Sequence, residues 1–472
     1  MEIDGDRDTK EFVEIFPTNA PSNGVFSRNN GTHIMRFNLA PTEAFVKPGT
    51  MRLCFKFKCL KGDGTNIGSN TTIPTTAGAV AADQAFINPR LGVYGLFDQL
   101  TLSNVQGMKI EQINFWNRLM SALIPTLHST HDQLDDLTNE DASSDDFIFS
   151  QRQINGGLEI SCSMRIYSGL LYNERRDIPL SNQWGLNGLN LQLQLASDSQ
   201  VFFNLGRNGG TASTGASANG GAQFQLSDVS LMCEYIRPSP TRLLELKSKT
   251  SGVIEYNSFS SLYNVVNSSN HNYVSELGAK NVVSCFGTFL PVVYNNSTNG
   301  DAFTNARMVN STTAGQYDGN LVNIDELSFT RNGVKFPQEY VVRRNNQESA
   351  VVHSQIMRNF VDSIRPFHEL LHSVVQPVVA NQCVPGYGSG VGTNYDRSSL
   401  ADKTRDGGAL YGIGCPYDVL GDRGANFAGA QFGVQIQSDL GVVGNESPHA
   451  LYLFFLNRET FMYSPQGLQV MI

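Results

Sequence analysis

The chain has 472 residues, of which 40% are hydrophobic and 16% charged, and its formal net charge at neutral pH is −9. This length can hold two or three domains, and a composition poor in charge but rich in Gly, Asn, Ser and Thr favours short strands and turns over long helices. No run of Lys or Arg exceeds two residues. Proteins that bind phosphate backbones gain affinity from clustered basic groups, so direct sequence-specific nucleic-acid binding is not expected.

Residues 1–22 are predicted to form a polar N-terminal arm. The segment MEIDGDRDTKEF has neither a basic n-region nor an apolar h-region, and the sequence contains no run of about 18 apolar residues, so we expect neither a signal peptide nor a membrane span. The seven cysteines form no CxxC pair, and most lie in apolar runs where a thiol packs as a small hydrophobe. This usage indicates a reducing compartment.

Alternation of apolar and polar residues with a period of two dominates the rest of the chain. MRLCFKFKCL from Met51 and GLNLQLQLAS from Gly188 both alternate in this way, which is typical of half-buried strands. Further strands are predicted for LEISCSMRIYS from Leu158, QFQLSDVSLMCEYI from Gln223 and HALYLFFLN from His449. Turn-forming segments rich in Asn and Gly separate these runs.

Helices and long loops are predicted at matching places in the two halves. Residues 61–90 and 292–320 are long polar loops, and loops of this length usually project from the scaffold. Short helices are predicted after Arg118 and after His353, each interrupted by proline. TRLLELKSKT from Thr241 is predicted to be a helical or extended linker.

One motif of the first half returns about half a chain later. FDQLTLSNVQGMKIEQINFWNR from Phe97 resembles IDELSFTRNGVKFPQEYVVRR from Ile324. With one residue dropped, the matched pairs are Asp98 and Asp325, Leu100 and Leu327, Gly107 and Gly333, Lys109 and Lys335, Gln112 and Gln338, and Arg118 and Arg344. These residues are more typical of a strand, a turn and the approach to a helix than of a chemical site.

Other landmarks recur in the same order. They are Gly24 and Val25 with Gly252 and Val253, Cys54 and Phe55 with Cys285 and Phe286, GLNLQLQ with FGVQIQ from Phe432, and Leu231, Glu234, Ser239 and Pro240 with Leu456, Glu459, Ser464 and Pro465. A repeat of this size predicts two tandem domains of one architecture. We place them at residues 23–237 and 252–472, joined by a linker at 238–251.

The strongest catalytic pattern is HELLH at residues 368–372, the HExxH arrangement of zinc hydrolases. Two histidines on one helical face would hold the metal, and Glu369 would activate its water. Pro366 permits at best a helix that begins beside the motif, and no third ligand follows at a known spacing. We therefore expect a packed helix face rather than a zinc site.

Weaker patterns do not form a site either. His128 and His131 lie beside an acidic run at residues 132–146, which lacks the spacing and the glycine of a calcium loop. GYGSGVG from Gly386 lacks the Lys-Ser/Thr that completes a phosphate loop. We expect no catalytic, cofactor-binding or metal-binding residues and no cofactor, and therefore not an enzyme.

Two all-β domains with about eight strand candidates each indicate sandwiches or jelly rolls. Four segments resemble the double-jelly-roll major capsid proteins of icosahedral double-stranded DNA viruses, in particular those of polinton-like viruses and virophage-like small eukaryotic viruses. The segments are NGVFSRNNGTHIMRFNL from Asn23, FVKPGTMRLCFKFKC from Phe45, YGLFDQLTLSNVQG from Tyr94 and SLMCEYIRPSP from Ser230. The resemblance implies an all-β chain of two tandem eight-stranded jelly rolls with a few short helices in loops.

The same resemblance implies an assembly function. The chain would form homotrimers whose six rolls make a pseudo-hexameric capsomer, and these would contact neighbouring capsomers, pentons and minor capsid or cement proteins. It would be made and assembled inside the host cell and reside in the virion capsid. A glycan- or receptor-binding β-sandwich, either lectin-like or a spike or penton protein, is the alternative, and a zinc hydrolase using residues 368–372 is a more distant one.

Overall fold

The computed structural model describes residues 7–66, 86–87, 92–127, 159–172, 176–203, 207–208, 211–212, 222–249, 251–292, 324–338, 342–343, 349–367, 412–417, 424–438, 448–464 and 467–471. In the first half the strands are β1 (Thr9–Ile15), β2 (Ile34–Leu39), β3 (Phe45–Val46), β4 (Arg52–Lys61), β5 (Phe86–Ile87), β6 (Phe97–Ser103), β7 (Lys109–Asn114), β8 (Ile160–Arg165), β9 (Ile178–Pro179), β10 (Leu189–Leu195), β11 (Phe202–Phe203), β12 (Arg207–Asn208), β13 (Thr211–Ala212) and β14 (Ala222–Arg237). In the second half they are β15 (Gly252–Val266), β16 (Asn270–Glu276), β17 (Val282–Pro291), β18 (Ile324–Arg331), β19 (Val334–Lys335), β20 (Val342–Arg343), β21 (Ile413–Pro416), β22 (Gln431–Ser438), β23 (His449–Ser464) and β24 (Gly467–Met471).

Helices are few and lie between strands. They are α1 (Trp116–Leu127), α2 (Asp198–Val201), α3 (Pro240–Ser248) and α4 (Ser349–Ile364). A 3-10 turn (Gly92–Leu96) precedes β6. In the part of the chain that the structure describes, no helix is both long enough and apolar enough to cross a bilayer.

Each half consists of two facing antiparallel sheets with the jelly-roll strand order. In the first half the sheets run β1-β14-β4-β8 and β2-β10-β6-β7, and in the second they run β15-β23-β17-β21 and β16-β22-β18-β19. Counting the eight main strands of each half in chain order, both halves pair first-eighth-third-sixth and second-seventh-fourth-fifth. The predicted all-β fold of two tandem jelly rolls is confirmed.

The alternating sequences place their apolar residues between the sheets. In β4, Leu53, Phe55 and Phe57 are at most 3% exposed, and the four leucines of β10 are fully buried. Each fully buried side chain of this size contributes roughly 1.5–3 kcal/mol relative to an exposed one. One contiguous apolar cluster includes residues of both rolls.

The two rolls also agree in register. The equivalent cross-strand pairs are Phe12–Glu234 with Tyr256–Glu459, and Ile15–Leu231 with Phe259–Leu456. Cys54 lies opposite Ser230 as Cys285 lies opposite Phe455, so the predicted match of the two cysteines corresponds to the same sheet position. The match of GLNLQLQ with FGVQIQ likewise joins β10 and β22.

The repeated motif forms the hairpins β6–β7 and β18–β19. Asp98 and Asp325 are the second residues of β6 and β18. Gly107 and Gly333 turn the chain with φ of +85° and +77°, a backbone region that other residues rarely adopt.

The structural match of the hairpins ends at the lysines. Lys109 pairs with Ser103 and Lys335 pairs with Thr330. Three extra residues then precede Val342, which pairs with Leu327 as Ile113 pairs with Leu100. The sequence matches of Gln112 with Gln338 and of Arg118 with Arg344 therefore do not follow the sheet register, and Arg344 is outside the described residues.

The first strand begins earlier than the sequence suggests. The arm predicted for residues 1–22 contains β1, which pairs along β14 as β15 pairs along β23. The sheet equivalent of Val253 is thus Thr9, and the match of Gly24 and Val25 with Gly252 and Val253 does not reflect the fold. The segment TKEFVEI carries only two alternating apolar residues, Val13 and Ile15, which is too short a pattern to predict a strand. In the structure both are partly buried and the rest of the strand, including Phe12, is exposed.

The predicted linker contains a helix. The Ser239 hydroxyl accepts a hydrogen bond from the backbone N–H of Arg242 at 3.3 Å, which caps the first turn of α3. A proline occupies the start of the helix, where its missing N–H costs nothing. None of the residues of α3 is buried, so the helix spans the two rolls along the surface.

Candidate functional site

The catalytic and metal-binding patterns considered from sequence lie outside the described residues. These are HELLH at 368–372, His128 and His131, the acidic run 132–146 and the glycine-rich segment from Gly386. Within the described ranges, no group of three or more His, Cys, Asp or Glu side chains is placed to hold a metal ion. The most informative polar arrangement is instead found where the two rolls meet.

Glu111 of β7 joins the first roll to the second. Its Oε1 accepts hydrogen bonds from the backbone N–H groups of Gly169 at 2.9 Å and of Phe259 at 2.7 Å, and its Oε2 accepts a longer one from Leu170 at 3.4 Å. Phe259 lies in β15, the edge strand of the second roll. One carboxylate thus links the edges of two sheets from different rolls.

Burial controls the ionisation of Glu111. The side chain is nearly inaccessible, and this desolvation raises its pKa from 4.5 to about 7, while the backbone donors and the Ser168 hydroxyl oppose the rise. Its carboxylate is occupied by protein donors and enclosed, so it cannot meet a substrate. The arrangement serves as a link between domains rather than as a general base.

The two rolls approach each other closely beside this link. A Cβ atom added to Gly169 would lie 2.4 Å from the carbonyl oxygen of Asn257 and 2.6 Å from Cα of Ser258. Only glycine leaves room for the backbone of β15 at this distance. The second roll therefore rests directly on the backbone of the first.

Aromatic rings fill the junction on one side of Glu111. Phe115 has φ of +58° and places its ring 5.7 Å from that of Tyr263 and 5.1 Å from that of Tyr452. The guanidinium of Arg118 lies 5.8 Å from the centre of the Tyr452 ring, within cation–π range. The uncommon backbone of Phe115 costs about 1–2 kcal/mol, which the packing of its ring offsets.

Another ring contact closes the junction near α4. Phe367 follows this helix, is buried, and lies 5.0 Å from the Phe259 ring and 5.2 Å from the Tyr172 ring. Because Tyr172 belongs to the first roll and Phe259 to the second, Phe367 packs between the two. The junction therefore combines apolar ring contacts with the buried polar link at Glu111.

The sheet face around β1 is exposed, whereas its counterpart around β15 is buried. Phe12 and Met232 are 75% and 39% exposed. Glu14 is also exposed, and Ile236 is half-buried. At the equivalent positions of the second roll, Tyr256, Ser258, Asn457 and Phe461 are 2%, 3%, 5% and 0% exposed. We call these four residues of the first roll the β1 patch.

The equivalent glutamates Glu234 and Glu459 reflect the same difference. Glu234 is approached by the ammonium groups of Lys10 and Lys47, at 3.4 Å and 3.9 Å. Glu459 instead accepts hydrogen bonds from the hydroxyls of Tyr256 and Ser258. Tyr256 also stacks on Phe461 with a centroid separation of 4.2 Å.

Sequence reasoning missed Glu111 although it lies inside the repeated motif. The available signal in the sequence is a break in alternation, since two polar residues separate Ile110 from Ile113 in β7. The partners of Glu111 are remote in sequence, which no local pattern can predict.

No protein-family model matches the chain, and no curated protein matches it in sequence. Solved structures do match over almost the whole chain. The quasi-atomic model of the PBCV-1 virus capsid has a TM-score of 0.55 at 11% identity, covering 99% of this chain and 97% of that one. The Sputnik virophage structure has a TM-score of 0.52 at 12% identity and covers 99% of this chain and 89% of that one. The mavirus major capsid protein has a TM-score of 0.50 at 10% identity and covers 98% of this chain and 90% of that one.

These similarities concern the fold. The chain shares its double jelly roll with virus capsid proteins, in agreement with the predicted resemblance. At 10–12% identity the likeness extends to the arrangement of strands and not to individual side chains.

Proposed function

We propose that this chain is a major capsid protein, which self-assembles as pseudo-hexameric trimers into an icosahedral virus shell. The observation that carries the proposal is the presence of two jelly rolls with one strand order and one register in a single chain. Three such chains related by a three-fold axis place six similar rolls around a ring. Hexagonal packing of capsomers needs such a six-sided outline.

The structural neighbours support this role, since one is the major capsid protein of mavirus and another belongs to the capsid of the PBCV-1 virus. A glycan-binding sandwich needs a binding cleft in one domain and does not require a second roll in the same register. The duplication therefore favours assembly over the lectin-like alternative.

The domain division follows from the sheets. We propose a first roll that begins with β1 and ends near residue 237, a linker formed by α3, and a second roll from residue 252 to the end. This division keeps the predicted boundaries at 237 and 252 and moves the predicted start of the first roll from residue 23 to β1.

In this function each part has a mechanical role. The facing sheets bury their own core, and the junction at Glu111 fixes the angle between the rolls of one chain. Surfaces of about 1,000 Å² or more between chains would hold the trimer. Neighbouring capsomers, pentons and minor capsid or cement proteins would contact the trimer in the virion, after synthesis and assembly inside the host cell.

Light scattering on the purified chain tests the proposal. We expect a particle of three times the chain mass, and electron microscopy should show pseudo-hexagonal outlines. A persistent monomer that yields no such particles, with or without partner capsid proteins, would overturn the proposal.

Metal analysis separates the proposal from the enzyme alternative. We expect no stoichiometric zinc in the purified protein. One zinc per chain, lost in His368→Ala but retained in His353→Ala, would instead support a hydrolase using residues 368–372.

A further inference from the structure

Two buried cysteines of the second roll lie directly opposite each other. Cys285 of β17 pairs with Cys415 of β21 in antiparallel register, and neither side chain is exposed. Opposite residues of antiparallel strands point to the same face of the sheet, so the two side chains are direct neighbours. Both are present as thiols.

The register fixes the separation of the two backbones. The backbone N–H of Tyr417 donates to the carbonyl of Val283 at 2.8 Å. Hydrogen-bonded pairs alternate along an antiparallel ladder, so Cys285 and Cys415 form the next such pair, with Cα atoms about 5.5 Å apart. Disulfides most often join Cα atoms about 5.5–6 Å apart. The pair can therefore be bridged while the two strands remain paired.

The ionisation of the nearby groups shows the same proximity. Burial raises the pKa of the Cys285 thiol well above its ordinary value, and the neighbouring Cys415 raises it further. Burial and the same two cysteines raise the pKa of Tyr417. Only the thiolate attacks a disulfide, so Cys285 stays reduced as long as β21 keeps it enclosed.

Within the described residues, every other cysteine lies opposite a residue that is not a cysteine. These pairs are Cys54 with Ser163, Cys59 with Phe224, Cys162 with Phe55, and Cys233 with Val13. Cys383 is outside the described residues. The register therefore selects Cys285 and Cys415 as the cysteines placed to react with each other.

The position of β21 gives an oxidant access to these buried thiols. This strand has four residues, lies at the edge of its sheet, and within the described ranges pairs with β17 alone. Local opening of a short edge strand costs less free energy than unfolding of the whole domain. Separation of β21 from β17 exposes Cys415 and then Cys285.

We propose that Cys285 and Cys415 form a disulfide that links β21 to β17 when the chain passes from a reducing to an oxidising environment. Cys415 attacks a small-molecule disulfide such as oxidised glutathione and releases one thiol. Cys285 then attacks the sulfur of Cys415 in this mixed disulfide and releases the second thiol. The protein loses two thiol hydrogens, and the oxidant is reduced to two thiols.

The proposed function supplies only the change of environment, since a shell assembled inside a host cell later leaves it. The bridge itself requires the folded chain and no assembly. The failure of one proposal is therefore distinguishable from the failure of the other.

The bridge would also hold the helix that packs on the opposite face of β21. A Cβ atom added to Gly414 would lie 2.8 Å from Cα of Phe360, so α4 rests directly on this strand. α4 leads to Phe367, whose ring packs between the two rolls. A bridge that fixes β21 therefore also stabilises the junction between the rolls.

Mass spectrometry and thermal melts of the oxidised full chain test the proposal. After incubation with oxidised glutathione in urea below the unfolding midpoint, we expect a loss of about 2 Da and a peptide containing Cys285 bound to one containing Cys415. The oxidised chain should melt roughly 5–10 °C above the reduced chain, because the bridge closes a loop of roughly 130 residues in the unfolded state. Dithiothreitol should reverse both changes.

Single substitutions identify the two sulfur atoms. Cys285→Ala and Cys415→Ala should each abolish the mass loss and the shift in melting temperature. Cys162→Ala is the matched control, because Cys162 is also buried in a sheet but lies opposite Phe55, and it should retain both. Each variant is compared with its own reduced form, so a change in its basal stability does not affect the result.

Three outcomes would overturn the proposal. They are a chain that retains all seven thiols after the oxidising treatment, a bridge that joins Cys383 instead, and a bridge between Cys285 and Cys415 that leaves the melting temperature unchanged. Light scattering on the reduced chain tests the assembly function separately, and a trimer without the bridge would leave that function standing.

Discussion

Phe12 and Tyr256 occupy the same position in the two rolls, opposite Glu234 and Glu459, yet one ring is 75% exposed and the other 2%. Strand order and register are shared, so the difference does not arise from the pairing of the strands. It accompanies different side-chain partners, since Tyr256 stacks on Phe461 and donates to Glu459, whereas Glu234 is approached by Lys10 and Lys47. Residues that look interchangeable in the repeat therefore carry different energies, and substitutions can measure the difference.

The largest expected effect is at the buried member of this pair. Tyr256→Ala removes a ring that stacks on Phe461 at 4.2 Å and should lower the free energy of unfolding by about 4 kcal/mol. Phe12→Ala should change the monomer by less than about 0.5 kcal/mol, because its ring is exposed. Urea denaturation of both variants checks the contrast, and equal losses would show that the two first strands do not differ in this way.

Glu111 should make the free energy of unfolding depend on pH, through its link between the two rolls. Its folded pKa of about 7 lies above its ordinary value of 4.5, so the folded state binds the proton more tightly. The stabilising contribution is complete below about pH 4.5 and is lost as pH rises to about 7, a change on the order of 3 kcal/mol. Glu111→Gln should remove this slope in urea titrations at pH 5 and pH 8, and an unchanged slope would contradict the assignment.

Gly169→Ala should weaken the junction by steric conflict. The new Cβ would overlap the backbone of Asn257 and Ser258, at a cost of about 2–3 kcal/mol. Gly49→Ala is the control, since Gly49 has φ of +74° but no atom within 4 Å of its Cβ position, and should cost about 1 kcal/mol. Differential scanning calorimetry should therefore show the larger shift for Gly169, and similar shifts would mean that the close approach is not tight.

The smallest expected effects concern the equivalent glutamates. Tyr256→Phe removes a hydroxyl that donates to the carboxylate of Glu459, at a cost of about 1.5 kcal/mol. Lys10→Ala removes an ion pair with Glu234 whose lysine is 63% exposed, at a cost below about 0.5 kcal/mol. Thermal unfolding in low and high salt tests both, and only the Lys10 pair should weaken as salt rises.

Much of the fold could be predicted because its signals are local. Strict alternation marks β4 and β10, and turn glycines such as Gly107 and Gly333 mark the repeated hairpin. The sequence of β1 predicts an arm rather than a strand, because only Val13 and Ile15 alternate and the adjacent Phe12 breaks the pattern. Glu111 was missed because Gly169 and Phe259 approach it only in the folded chain. The zinc motif at 368–372 lies outside the described residues and remains unsupported.

The pairing of β1 with β14 sets the order in which the two rolls can fold during synthesis. Thr9 lies opposite Arg237, so the first roll closes by joining its first strand to its last, after nearly all of its residues have been made. Such distant pairings are slow to form. Once Arg237 has left the ribosome, the first roll has every strand that it needs to form the template carrying Glu111 and Gly169, and β15 begins 15 residues later. We expect the second roll to fold onto this template, so synthesis itself would establish the junction before any second copy is met.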